Sequence, residues 1–208
     1  MQIQKTLRLV ETGILLAIAT VLSVIQPFQL PFGGGITIFS MLPVVLLSYR
    51  HGVKWGLLSG FLYSILQMAV GFGNVKGFFV PEDYALIAGI CIVLLDYILA
   101  YTVLGFGGAF RRMKPTPALF LGTLLALLLR YAVHIVSGTV FFGAWAEWFF
   151  TQEGFYSIGQ TIVERFSGTE LALIYSVFYN GLYMLPELLL TCLAALAVSR
   201  IPYLVKKS

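Results

Sequence analysis

The sequence predicts an all-α, polytopic membrane protein with six transmembrane helices and both termini in the cytoplasm. Three observations carry this reading. Charged residues make up 11% of the 208-residue chain and hydrophobic ones 59%. Mean hydropathy is +0.92. The basic residues gather in every second connection between apolar runs. A soluble chain carries roughly 25% charged residues, so much of this surface must face lipid. The runs use nearly all of the length, leaving one membrane domain, 1–208, and no room for a second soluble one.

A membrane helix needs about 20 apolar residues. The first run, about 7–26, follows Lys5 and Arg8. Its Ala17-Ile18-Ala19 imitates a cleavage site. The apolar stretch continues to Phe28 with no polar mature domain behind it, so it reads as a retained span. The second, about 36–49, lies between Gly33-Gly34-Gly35 and Arg50-His51. Its length alone would permit a re-entrant segment, and the charge pattern counts it as a span. The others run at about 53–71, 84–107, 117–142 and 170–198, with a long outer loop at 143–169.

With six spans, Lys5, Arg8, Arg50, Lys54, Arg111, Arg112, Lys114, Arg200, Lys206 and Lys207 share one side. The other side holds only Lys76 and Arg165, and Arg130 lies within a span. Positive residues stay inside, so the termini are cytoplasmic. The acids Glu82, Asp83, Glu147, Glu153, Glu164 and Glu170 fall outside. The net charge of +4 is therefore topological and needs no nucleic acid. The outer loop carries Trp145, Trp148, Phe149, Phe150, Phe155 and Tyr156. Such a segment reads as an interfacial aromatic belt or as a lid over an outward-facing site.

Ionisable groups inside a span are costly and usually functional. Here they are Asp96 in span four, Arg130 and His134 in span five, and Glu187 in span six. Glu11, near the inner end of span one, can reach headgroup water. Arg130, His134, Ser137, Gly138 and Phe141 recur on one face of span five. Ser176, Asn180, Tyr183 and Glu187 do the same on span six, while Tyr97 and Tyr101 accompany Asp96. The helix directions place His134, Tyr175 and Asn180 in the outer half, and Asp96 roughly 18 Å from the outer end of span four. The stripes converge on a cavity open to the outside. Arg130 can pair with Asp96 or with Glu187.

Two acids and one base leave one negative charge over. An unpaired buried carboxylate protonates, holds water or awaits a cation. Around it stand Tyr97, Phe142, Trp145, Tyr175, Tyr179 and Tyr183. Aromatic faces add roughly 0.5–2 kcal/mol each toward a flat organic cation.

Other chemistry is absent from the sequence. Cys91 and Cys192 lie in apolar stretches without metal-ligand spacing and read as packing residues. No P-loop, H-E-x-x-H or Ser/His/Asp pattern is readable. Neither a cofactor nor a metal is expected, and an enzyme is disfavoured.

Four segments carry a resemblance. They are Gly34-Gly35-Ile36-Thr37 with Met41-Leu42-Pro43, and Leu95-Asp96-Tyr97. To these add Arg130-Tyr131-x-x-His134-x-x-Ser137-Gly138-x-x-Phe141-Phe142-Gly143, and Tyr175-Ser176-x-x-Tyr179-Asn180-x-x-Tyr183-Met184-Leu185-Pro186. Together they resemble the thiamine-binding subunit, or S component, of energy-coupling factor vitamin transporters. The resemblance runs through all six spans.

It implies a six-helix capture protein of the prokaryotic plasma membrane that binds thiamine from outside. Its implied partners are a transmembrane coupling protein and two cytoplasmic ATPases. Asp96 would face the thiazolium, His134 and Phe142 would stack on the ligand, Tyr175 and Asn180 would hydrogen-bond it, and Gly138 would allow close approach. This chain has Asp96 where some members carry Glu, Phe142 where some carry Trp, and Gly34 where some carry an aromatic. Its outer loop is longer, and Trp145 or Trp148 can substitute in stacking.

Gly13, Ala17 and Thr20 form a small-residue face on span one, which lets another helix approach. The resemblance assigns such a face to the coupling protein, and packing within the bundle is the alternative. Other function classes also stay open: a proton-coupled transporter of an organic cation using Asp96, Glu187 and His134, a membrane enzyme with Asp96 and His134 as acid and base, or capture of another vitamin such as riboflavin.

Overall fold

The computed structural model describes residues 2–30, 34–80 and 85–207. Gly33, Glu82, Asp83 and the side chain of Tyr156 lie outside what it describes. Among the described residues, five helices are long and apolar enough to cross a membrane: Ile3–Val24, Val53–Val70, Leu86–Gly108, Pro115–Phe141 and Gly168–Val198. They match predicted spans one, three, four, five and six to within a few residues, and they keep those names below. Only 22–39% of each apolar window is buried inside the protein. The remaining faces, with Ile87, Leu189 and Leu193 among them, are exposed and apolar. A helix of that kind is stable only with lipid around it.

The second segment departs from the expected helix over 36–49. Its helix is Leu42–His51, ten residues long. At 1.5 Å per residue that is about 15 Å, half of a hydrocarbon core of about 30 Å. The preceding half is not helical. Gly35–Ile36 pairs antiparallel with Phe28–Gln29, and Thr37 to Met41 then descend irregularly, Phe39 adopting φ 58°. Pro43 sits in the first turn, where the fixed φ of proline favours a helix start. Leu42 to Tyr49 are all buried, so this short helix is the core of the bundle and not part of its lipid face. Non-helical backbone at membrane depth is tolerated only when protein surrounds it, and here it is surrounded.

The basic end of the bundle is tied together by hydrogen bonds to helix ends and tail. Arg111 donates from Nε to Tyr49 O at 3.1 Å and from Nη2 to Arg50 O at 3.0 Å, covering the last carbonyls of Leu42–His51. Arg50 pairs with Glu11 of span one. It also donates to the carbonyls of Tyr203 and Leu204, each at 2.9 Å. Cations at a helix C-terminus complement its dipole. The positive side is thus also a structural clamp.

The outer loop folds into two short helices, Ala146–Phe150 and Tyr156–Arg165. Phe149 and Phe150 are buried with Leu171, Tyr175 and Tyr179 in one cluster, whereas Trp145 and Trp148 are exposed. Part of the loop therefore buttresses span six, and the two indoles form its outer surface. Cys91 is half-buried, Cys192 is buried, and both are free thiols.

Candidate substrate-binding site

A cavity of about 500 Å³ opens where spans four, five and six meet the first loop. Small-ligand sites occupy roughly 300–1,000 Å³.

Span four does not reach it as a plain α-helix. Residues Val93–Leu99 form a π-helical stretch, the kind of local widening often found at functional sites. Asp96, its neighbour Tyr97 and Tyr101 all reach the cavity wall. Gly71 makes room for Tyr97, because a Cβ there would lie 3.0 Å from the tyrosine hydroxyl.

The Asp96 carboxylate is held from both sides. His134 Nδ1 lies 2.9 Å from Oδ1, and Ser137 Oγ donates to Oδ2 at 2.8 Å. Arg130 Nε donates to His134 Nε2 at 3.2 Å. A guanidinium can only donate, so Nε2 must present its lone pair. The imidazole is then the neutral tautomer with its proton on Nδ1, donating to Asp96. A chain of donors from Arg130 through His134 fixes the Asp96 carboxyl group at the cavity wall. Carboxylates have about four acceptor sites, and protein groups use two of them here. The Asp96 side chain keeps 18% of its surface exposed, toward the hollow.

Neither ion pair anticipated for Arg130 is present. Among the described residues Arg130 bridges to no carboxylate. Its guanidinium lies 4.3 Å from the Tyr101 ring centroid and donates from Nη1 to Met41 Sδ at 2.6 Å. The reason is geometric: His134 lies between Arg130 and Asp96, and Glu187 is engaged elsewhere. Glu187 is fully buried and accepts from the Thr37 backbone N–H at 2.5 Å and from the Thr37 hydroxyl at 2.6 Å. It belongs to the polar stripe of span six but does not line the cavity.

Span six contributes an ordered row. Asn180 Nδ2 lies 3.3 Å from His134 O and 2.9 Å from Ser176 O, and Tyr183 donates its hydroxyl to Asn180 Oδ1 at 2.7 Å. Ser176 donates to Ile135 O at 2.8 Å. Spans five and six can approach this closely because residue 138 is glycine. A Cβ there would meet Ser176 Cβ at 3.0 Å and Asn180 Nδ2 at 3.1 Å.

Of the ten residues singled out from sequence, nine line the cavity: Asp96, Tyr97, His134, Gly138, Phe142, Tyr175, Tyr179, Asn180 and Tyr183. Trp145 does not. It ends the turn Gly143–Trp145, is 41% exposed, and meets Trp148 edge-on at 6.2 Å. The residue that backs the cavity tyrosines from this loop is Phe149, 5.4 Å from Tyr175 and 5.7 Å from Tyr179 between ring centroids.

Sequence reasoning missed Gln67, Asn74 and Phe78, which also line the wall. Phe78 lies edge-on to Phe142 at 6.2 Å. Gln67 was legible in principle. Ser59, Tyr63, Ser64 and Gln67 make a buried polar stripe on span three, overlooked because none is ionisable at neutral pH. On span one, Gly13 and Ala17 are exposed and Thr20 is half-buried. Among the described residues, nothing lies within 4 Å of a Cβ built on Gly13.

The thiamine transporter protein family matches residues 9–158. The thiamine transporter ThiT of Bacillus subtilis (strain 168) is 31% identical over 206 residues, covering 91% of this chain and 88% of its own. ThiT of Lacticaseibacillus paracasei is 26% identical over 156 residues, covering 66% and 69%. A solved structure of ThiT from Listeria monocytogenes superposes with a TM-score of 0.71 at 20% identity over 98% of this chain and 99% of that one. That last likeness speaks for the fold alone.

Proposed function

The chain belongs to the thiamine transporter protein family, and from that premise we propose that it captures thiamine at the outer face as the substrate-binding subunit of an ATP-driven importer. The observation that carries this is Asp96, a carboxyl group fixed by His134 and Ser137 on the wall of an aromatic-lined cavity. Thiamine presents a permanently cationic thiazolium joined to a flat aminopyrimidine. The thiazolium lies toward Asp96, whose carboxyl group bridges to no lysine or arginine among the described residues. The rings of Tyr97, Phe142, Tyr175, Tyr179 and Tyr183 supply the faces, and Asn180 with the tyrosine hydroxyls meets the polar edges. Desolvated cation–ring contacts contribute roughly 2 kcal/mol, so nanomolar capture near −12 kcal/mol needs several rings and the carboxylate acting together.

No bond in the ligand is made or broken. The subunit binds, excludes water and presents its cargo. On this reading the chain crosses six times with both termini inside and the cavity opens outward; the positive clamp at the other end supports a cytoplasmic face there. The bare Gly13–Ala17–Thr20 face suits close approach of a helix from a membrane coupling protein, which would link this subunit to two cytoplasmic ATPases of an energy-coupling factor module.

The proton-coupled alternative needs Asp96, His134 and Glu187 along one accessible route. Glu187 is sealed against Thr37 and away from the cavity, which weighs against it. A neutral ring system such as riboflavin leaves the carboxylate without a partner. Calorimetry on the purified protein with thiamine, thiamine pyrophosphate and riboflavin tests the reading. Thiamine binding at one site per chain is the expected result, and binding of riboflavin alone would overturn it.

A further inference from the structure

We propose that Glu187 is a positioning residue for ligand retention, acting through Thr37 to hold the first loop as one wall of the cavity. This rests on the thiamine reading for its ligand and on the structure for its geometry. Gly34, Gly35 and Thr37 line the cavity, and Glu187 does not. The described residues of the loop carry little regular structure: a pairing of Phe28–Gln29 with Gly35–Ile36, then irregular chain down to Leu42. Backbone of that kind inside a membrane bundle must find its hydrogen bonds from side chains.

Glu187 meets that need. One carboxylate takes both donors of a single residue, the Thr37 N–H on Oε2 and the Thr37 hydroxyl on Oε1. Because the threonine proton is used this way, the Ser40 hydroxyl, 2.7 Å away, donates to Thr37 Oγ1. One turn earlier on span six, Tyr183 packs against Gly34 so closely that a Cβ on that glycine would lie 2.5 Å from the ring. Residues 183 and 187 therefore grip the arm at two points, from the helix that carries the ligand-facing tyrosines. The pin is also hidden: Glu187 is fully buried beneath the wall that it fixes.

The charge of Glu187 is not what the pin requires. A glutamine can accept the Thr37 N–H on its oxygen and donate its amide to Thr37 Oγ1. Alanine can do neither.

The test measures two quantities on the full chain in detergent or nanodiscs. One is thiamine release from the loaded protein by stopped flow. The other is hydrogen–deuterium exchange of the amides at 35–41 without ligand. Glu187→Ala is expected to speed release by about tenfold to a hundredfold, the range for losing two ordinary hydrogen bonds together. Association should change by less than about threefold, since the binding groups remain. Exchange at Thr37 should accelerate comparably. Glu187→Gln should stay near wild type in both measurements. Thr37→Ala with Glu187→Ala should be no worse than the poorer single variant.

Unchanged release and exchange in Glu187→Ala would overturn the proposal, as would losses that add fully in the double variant. If Glu187→Ala does not fold, Thr37→Val removes only the hydroxyl donor and carries the same two measurements. Wild-type protein that fails to bind thiamine would overturn the ligand assignment, and the exchange measurement would still decide the pin.

Discussion

His134 donates from Nδ1 to Asp96 across 2.9 Å while taking a hydrogen bond from Arg130 on its other nitrogen. One imidazole thereby keeps an arginine and an aspartate apart, so the aspartate is oriented without being neutralised by an ion pair. A direct Arg130–Asp96 bridge would satisfy both charges and leave nothing for a cation. On the proposed function, the spacer leaves the carboxyl group open to a cationic ligand.

Asp96→Asn keeps the shape and removes the charge. Truncating one partner of a buried hydrogen-bonded charge pair costs about 2–5 kcal/mol, so thiamine affinity should fall at least about thirtyfold. A thiamine analogue with a neutral thiophene in place of the thiazolium should lose little. Calorimetry with both ligands checks this, and equal losses would remove the electrostatic argument.

Gly138→Ala drives a methyl group into Ser176 and Asn180. Ser176 is fully buried and bonded to Ile135 O, so it has no room to yield. Overpacking costs about 1–3 kcal/mol. The variant should bind thiamine at least about fivefold more weakly and melt earlier, both measured on purified protein.

Gly13→Leu and Ala17→Trp enlarge two exposed positions of span one, and no described residue lies within 4 Å of a Cβ at Gly13. Thiamine binding to the isolated subunit should be unaffected, while uptake by cells carrying the partner proteins should fall to background. Loss of both together would place the face inside the bundle.

His51 gives a pH dependence to the basic clamp. Burial of its ring holds its pKa below the usual histidine value, outweighing the attraction of Glu11 at 3.1 Å. Among the described residues the buried Nδ1 atom has no partner, so a proton added there finds no acceptor among them. An unfolded imidazole titrates near 6.5. The unfolded state therefore takes up the proton first, and stability is fully present above about pH 6.5 and lost as pH falls through the lower folded value. Melting temperature in detergent should drop from pH 7.5 to pH 5. The drop should be shallower in His51→Gln, whose Nε2 can keep the contact with Glu11.

The five long spans were legible because lipid imposes a long, charge-poor run on any helix that crosses it. The stripes Arg130–His134–Ser137–Gly138 and Ser176–Asn180–Tyr183 were legible because polar groups at helical spacing cannot face that lipid. Span two was not. Its apolar run of about 14 residues fits a tilted helix, a re-entrant hairpin or a half-extended crossing, and composition does not distinguish them. What decides is an acceptor for the Thr37 N–H, which comes from Glu187, 150 positions away.

Taken by itself, the sequence determined the solvent this protein folds in, the direction of its charge asymmetry, and which helical faces turn inward. Those follow from local periodicity and from transfer energies that each residue carries with it. The tertiary structure alone decided the partners: that Arg130 reaches His134 instead of an acid, that Glu187 holds a loop, and that Trp145 lies outside the cavity. Hydrogen bonds form over about 3 Å, and positions distant in the chain come within that range only once the helices have packed.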